Sequence, residues 1–341
     1  MIALTRHRPL GVPSVAPWPA ASRANYPESV MGMHSMRQVA ASGVRKGFRI
    51  GKETVYGYVM AAPAILGFFI FTLGPLIASL ILSFTDYSIT NDFRFIGVSN
   101  YKRLFSGEDS FFYKALSVTF YYVALAVPIS LTAAFIMAML LKNNVKGRAF
   151  FRSVFYLPSV VPVVATSTIF IWLLNPDIGL LNQILRFLHL PTSMWIYDEK
   201  TVIPTMAFMT VWTTGGTMLI FLAGLESIPE QYYEAVEIDG GRLWHKLTAV
   251  TLPMMTPTIF FNLIMGIITG FQSFSEAYIM TEGGPNNASL FYVLYLYREA
   301  FTHLRMGAAC AIAWVLFVII MILSALIFRS SRTWVYYEGD K

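Results

Sequence analysis

The sequence is poor in charge, in cysteine and in clustered histidine. Only 13% of its 341 residues are Asp, Glu, Lys or Arg, against about 25% in soluble domains. That excludes an ordinary soluble globular domain. A single cysteine, Cys310, lies inside an apolar run. No intrachain disulfide and no cysteine metal site can form. The five histidines, His7, His34, His189, His245 and His303, are dispersed, and no His-Glu-x-x-His run occurs. Zinc-hydrolase chemistry therefore has no ligand motif here. A phosphate-binding loop is missing too. The nearest approach, Gly47 with Gly51-Lys52, has the wrong spacing, no following Ser or Thr, and no apolar strand before it. The chain is thus expected to bind no cofactor of its own and to hydrolyse no ATP. Its first 54 residues hold no apolar core with a small-residue cleavage site, so no cleaved signal peptide is expected.

What is present is apolar. Hydrophobic residues make up 56% of the chain and aromatic residues 15%, which suits membrane spans with interfacial belts. Six apolar runs are long enough to cross about 30 Å of hydrocarbon. They cover about 58–84, 115–141, 153–174, 201–225, 256–280 and 306–328. The expected fold class is an all-α integral membrane protein with six transmembrane helices. Residues 1–54 read as a disordered polar tail, 55–328 as the membrane domain and 329–341 as a short polar tail. Seventeen lysines and arginines fall on the side of the two tails and seven on the other, with Lys114 at a span edge set aside. The basic excess marks the cytoplasm, so both termini and the loop between spans four and five are expected there. The net charge of +6 lies in tails and short loops beside apolar runs. It is a topology signal, so the expected partner is the lipid bilayer and not nucleic acid.

The longest polar interruption in the second half runs from Gly224 to Pro257. Ile228-Pro229 signals a helix start, and Glu230 falls in the first turn, where the helix dipole favours a carboxylate. Gly240-Gly241 signals the stop. A second short helix is expected from Arg242 to Val250, closed by Leu252-Pro253. Two short helices joined at a glycine pair make a rigid cytoplasmic knob, spanning residues 226–255.

This stretch resembles the coupling motif of permease subunits of ATP-binding-cassette importers. The family pattern is Glu-Ala-Ala, Asp-Gly-Ala and Ile-x-Leu-Pro. It stands here as Glu234-Ala235-Val236, Asp239-Gly240-Gly241 and Val250-Thr251-Leu252-Pro253, with Pro257 four residues on. Val236, Gly241 and Val250 are small or conservative departures. Other motifs are similar to the carbohydrate branch, the maltose, multiple-sugar and glycerol-phosphate type. They include Ser83-Phe84-Thr85-Asp86-Tyr87, Asn100-Tyr101, Gly179-Leu180-Leu181-Asn182 and Met280-Thr281-Glu282-Gly283-Gly284-Pro285. The resemblance covers about residues 55–341. It implies a prokaryotic plasma (inner) membrane and one half of a translocation pathway for a sugar or oligosaccharide. The other half would be a second homologous permease, forming a heterodimer. Two copies of a cytoplasmic ATPase would hold the ATP and Mg, and an extracytoplasmic solute-binding protein would deliver the sugar. Glu234, Ala235, Asp239, Gly240, Leu252 and Pro253 would then couple to the ATPase. Tyr232, Tyr233, Leu243 and Trp244 either join that contact or pack against the bases of the spans.

The fifth apolar run carries Asn262, Gln272, Ser273, Ser275 and Glu276 among apolar residues. Polar groups at membrane depth face a bundle interior or a water-filled cavity. Phe271, Phe274 and Tyr278 accompany them, and aromatic faces beside amides and hydroxyls suit sugar rings. Asn262, Gln272, Ser275, Phe271, Phe274, Tyr278 and Glu276 are therefore candidates for the substrate path. Taken singly, each polar residue among them fits helix–helix hydrogen bonding slightly better than a place in the path. Thr213 and Thr214 are secondary candidates, and Trp212 is expected to pack. The alternative functions are a self-sufficient ion-coupled secondary transporter, for which only Glu276 could serve as a midplane carboxylate, and an intramembrane enzyme, whose nucleophile–base pair is not visible.

Overall fold

The computed structural model describes residues 52–88, 93–142 and 146–336, with side chains from Tyr56 on. Most of the N-terminal tail with Arg45, Lys46 and Arg49, the loop residues Asn91 and Asp92, and residues 337–341 lie outside the described residues. The chain divides into two units, Met1–Ala64 and Ile65–Lys341. The described part of the first is the opening of helix α1, Lys52–Phe68.

Among the described residues the fold is helical, with a single β-bridge between Thr85 and Phe95. After α1, a π-turn at Phe69–Leu73 leads into α2, Gly74–Leu82. A short α3, Ser99–Phe105, appears where the sequence suggested only loop. There follow α4, Ser110–Lys142; α5, Arg148–Val160; α6, Val163–Leu173; α7, Leu180–Phe187; and α8, Val202–Met209. Next come α9, Gly215–Ser227; α10, Glu230–Ile238; α11, Leu243–Lys246; α12, Leu252–Phe271; α13, Ser275–Met280; α14, Tyr292–Tyr297; and α15, Met306–Trp334. Four helical runs are long and apolar enough to cross a membrane: Tyr56–Leu82, Ser110–Lys142, Leu243–Phe271 and Met306–Trp334. Two bent pairs qualify together, α5 with α6 at 96° and α8 with α9 at 55°.

The bends have local causes. Pro162 pushes the residue before it out of the helical region, and Val161 is extended at φ −71°, ψ 131°. In the second pair, Thr210–Thr213 form a 3-10 turn. Thr210 and Thr214 donate their hydroxyls back to the carbonyls of Ala207 and Val211 at 2.7 and 2.9 Å. Such back-bonding competes with the helix ladder and bends it.

The fifth run differs most from expectation. Leu252-Pro253 does not close a short helix, and the membrane run does not extend unbroken to Met280. Helix α11 passes through a π-turn at Leu247–Thr251 directly into α12, giving 29 residues from Leu243 to Phe271. The wider turn lets the Leu252 N–H reach the Leu247 carbonyl. Pro253 follows at the first turn of α12, where its missing donor is harmless. The far end stops at Gln272, whose ψ of 4° leaves the helix. Phe274, at φ −138°, ψ −55°, precedes α13.

Two apolar clusters hold α4 at the centre. One surrounds Phe112, Tyr122, Phe271, Phe291 and Tyr292; the other packs Ala134, Ala138 and Leu141 against Met218, Phe221, Leu225 and Met255. Gly266 and Gly270 allow α12 to close on α4. A Cβ at either would meet Val127 at 3.2 Å or Val123 at 3.1 Å. Buried Tyr292 ties three elements together. Its N–H donates to Thr119 Oγ1 at 2.8 Å and its hydroxyl to the Ile312 carbonyl at 2.9 Å. Tyr295 donates to Asp109 at 2.6 Å; burial first, and then that bond, pushes its hydroxyl above the usual phenol range. Glu299, 4% exposed, is flanked by His303 Nδ1 at 2.7 Å and by the guanidiniums of Arg103 and Arg305, each at 3.6 Å.

Several of the quoted motifs are staples. Asn100 donates to the carbonyls of Ser83 and Thr85, both at 2.9 Å, closing the end of α2. Asn182 donates to the carbonyls of Pro176 and Ser193 and accepts the Trp195 indole N–H at 2.9 Å.

Candidate coupling knob and cavity

The knob begins with α10. Pro229 precedes it in an extended conformation, and Glu230 occupies the first turn. At its end the N–H of Gly241 donates to the Val236 carbonyl at 2.8 Å, and that of Gly240 to Glu237 at 2.9 Å. This pair of bonds is a Schellman stop, with its C′ residue left-handed. Gly240 holds that position at φ +75°, where a Cβ is strained. His245 Nδ1 accepts from the Arg242 N–H at 3.1 Å, closing the first turn of α11. Lys246 pairs with Glu237, linking α11 back to α10.

Glu234, Ala235, Asp239 and Gly240 are all exposed on this knob. Beside them three large apolar side chains face solvent: Ile238 at 86%, Leu243 at 83% and Trp244 at 70%. Tyr233 points the other way. Its hydroxyl receives Lys142 Nζ at 2.8 Å and lies 3.2 Å from Thr251 Oγ1. The Lys142 ammonium also lies 4.0 Å from the Tyr233 ring centroid. The knob is therefore pinned to the end of α4 and to the π-turn at once. Leu252, exposed, and Pro253, half-buried, belong to the root of α12, beyond the π-turn. Arg148 pairs with Glu226, joining the start of α5 to the end of α9.

The second half of α12 walls a cavity of about 660 Å³, within the usual range of about 300–1,000 Å³ for ligand pockets. Asn262, Gln272, Ser273, Phe274, Ser275 and Glu276 line it, as do Thr213 and Thr214. Phe271 and Tyr278 do not. Phe271, the last residue of α12, is buried in the core, edge-on to Phe120 at 4.8 Å. Tyr278 is stacked on Phe274 at 5.2 Å. Trp212 packs edge-on to Phe170 at 6.2 Å and lies off the cavity wall.

The sequence reading missed Tyr122, Ser130, Thr210 and Thr217 as lining residues. Four threonines, Thr210, Thr213, Thr214 and Thr217, recur at helical spacing, and that stripe was the available signal. Asn262 spends one amide proton on the Thr258 carbonyl at 2.8 Å. The only charged side chain in the lining is Glu276. Three helix breaks meet at the cavity, through Val163, the Thr210–Thr214 turn and Gln272–Phe274. Irregular backbone at membrane depth is tolerated where it lines such a space. Among the described residues no group of three or more His, Cys, Asp or Glu could hold a metal ion.

A helical membrane protein with a polar cavity at its helix breaks, and a rigid knob outside, has the parts of a transport subunit. The family model for the binding-protein-dependent transport system inner membrane component matches residues 126–335. A probable ABC transporter permease protein of Bacillus subtilis, YesP, is 39% identical over 88% of this chain and 98% of its own length. The arabinooligosaccharides transport system permease protein AraP of Halalkalibacterium halodurans is 31% identical over 91% of this chain and 99% of its own. A chain of a bacterial alginate ABC transporter, solved in complex with an alginate pentasaccharide-bound periplasmic protein, shares the fold. Its TM-score is 0.73 at 22% identity, covering 83% of this chain and 96% of that chain. The chain belongs to the family of inner membrane components of binding-protein-dependent transport systems. It is a multi-pass membrane permease subunit of an ABC importer, a transport component rather than a catalyst, and the self-sufficient secondary transporter is set aside.

Proposed function

We propose that this chain forms half of the translocation path for a sugar or oligosaccharide, with a second homologous permease supplying the other half. Each bent pair counts as one span, giving six, with both termini and the knob in the cytoplasm. An extracytoplasmic binding protein delivers the solute. Two cytoplasmic ATPase subunits, which carry ATP and Mg, receive the knob. Ile238, Leu243 and Trp244 supply the apolar part of that contact, and Glu234 offers its carboxylate to a cation on the ATPase. Relatives named for arabinooligosaccharides, multiple sugars and lactose support the solute class.

One observation carries the mechanism. The knob's second helix, α11, and the cavity wall on α12 belong to one helical run, Leu243–Phe271, of 29 residues. At about 1.5 Å per residue it is some 40 Å long. Closing the ATPases on ATP displaces the knob, and the run carries that displacement to Asn262, Gly266 and Gly270 at the cavity. The solute path changes side because ATP and the loaded binding protein bind the two states unequally. Lining hydroxyls and amides exchange water for sugar hydroxyls as the solute passes.

Glu234→Ala and Gly240→Pro are expected to abolish ATP-driven uptake in proteoliposomes holding the full complex, while both variants still insert in the membrane. Uptake at the normal rate by both would remove the coupling assignment.

A further inference from the structure

A smaller cavity of about 240 Å³ adjoins the main one. Tyr122, Val163, Thr210, Thr213 and Glu276 line both, so the two share a wall. The far side of the smaller cavity is the broken pair α5–α6, through Ser159, Val161, Thr166 and Ser167, with Met206 and Met209 opposite.

In its lining Ser159, Thr210 and Thr213 donate their hydroxyls to backbone carbonyls, but Thr166 does not. Thr166 is 8% exposed, and its buried Oγ1 has no hydrogen-bond partner among the described residues. Its neighbour Thr168 shows the usual outcome, donating to the Val164 carbonyl at 2.9 Å. Ser167, the next residue, is 1% exposed and lines the same space. A buried hydroxyl left unmet is costly, and native structures rarely keep one without a ligand or water. The volume lies below the roughly 300 Å³ at which drug-sized pockets begin, so the space takes a fragment about the size of one ring. Glu276 is the only charged side chain in the lining.

The geometry points to this pocket as an end subsite, which takes one terminal, uncharged sugar ring of an oligosaccharide whose other units lie in the main cavity. Thr166 and Ser167 hydrogen-bond ring hydroxyls, and Met206 and Met209 face the apolar C–H side. Glu276, in the shared wall, accepts from a hydroxyl at the junction and repels a carboxylate or phosphate on that ring. The inference rests on the proposed transport of sugars.

The test uses the complete transporter in liposomes with its binding protein, and radiolabelled arabinotriose, maltotriose, lactose and trehalose as probes. Thr166→Val removes the hydroxyl at nearly constant shape, and Thr166→Ser keeps it. For any probe the wild type takes up, the valine variant is expected to slow uptake roughly five- to tenfold, the scale of one lost hydrogen bond. The serine variant should stay within about twofold, and both should keep binding-protein-stimulated ATP hydrolysis. A valine variant at the wild-type rate overturns the subsite, as does equal loss in both variants. Absence of ATP-driven uptake of every probe by the wild type would instead contradict the transport reading itself.

Discussion

Tyr233 shows how a single side chain can divide its work from its neighbours. Glu234 and Ala235, the next two residues, face outward on the same helix. Tyr233 faces inward and joins Lys142 of α4 to Thr251 of the π-turn. Tyr233→Phe keeps the ring and its contact with the ammonium but loses both hydroxyl contacts, a change of about 1 kcal/mol per bond. It is expected to raise the ATP consumed per solute imported severalfold without halting hydrolysis. Tyr233→Ala should uncouple more fully. Hydrolysis and uptake measured side by side in proteoliposomes check this, and an unchanged ratio in both variants would refute the link. The inward turn was not legible in the sequence, where Tyr232, Tyr233, Leu243 and Trp244 looked alike. Only packing against Lys142 separates Tyr233 from the exposed Leu243 and Trp244. Phe271 and Tyr278 were misplaced for a related reason. Adjacency in sequence suggested a shared wall, but Phe271 packs into the core against Phe120 and Tyr278 stacks on Phe274, and neither Phe271 nor Tyr278 is in the lining.

At the scale of elements, hydropathy made the long apolar helices legible, and Pro229 with Gly240-Gly241 made the knob legible. Apolar content and glycine or proline punctuation are local signals, readable without tertiary context. The breaks were not legible in the same way. Pro162 gave a signal, but the Thr210–Thr214 turn depends on hydroxyls choosing backbone carbonyls, and hydropathy is blind to that choice. Leu252-Pro253 misled in the opposite direction, because a π-turn absorbs the proline and the helix continues. The continuity has a mechanical consequence. Glycine in place of both Thr258 and Ile259 should soften the run without changing its register, since glycine costs about 1 kcal/mol each in a helix interior. The expected result is folded, membrane-inserted protein whose complex hydrolyses ATP with uptake reduced at least tenfold. Uptake at the normal rate would show that the knob signals by another route.

For the molecule as a whole, the proposed mechanism makes the knob and the cavity two ends of one lever. In that mechanism the pivot is the close approach of Gly266 and Gly270 to Val127 and Val123 on α4. The single native cysteine, Cys310, makes this testable by spin labelling after Cys310→Ser. Labels at His245 and Phe261, both exposed and both in the Leu243–Phe271 run, report the lever's length. Labels at Phe261 and Phe150, an exposed residue of α5, report its swing. Pulsed electron resonance on the full complex, with and without ATP, is the most direct measurement. A rigid lever predicts an unchanged His245–Phe261 distance and a Phe150–Phe261 distance that shifts by several ångströms on ATP binding. A His245–Phe261 distance that changes while the Phe150–Phe261 distance stays fixed would contradict it.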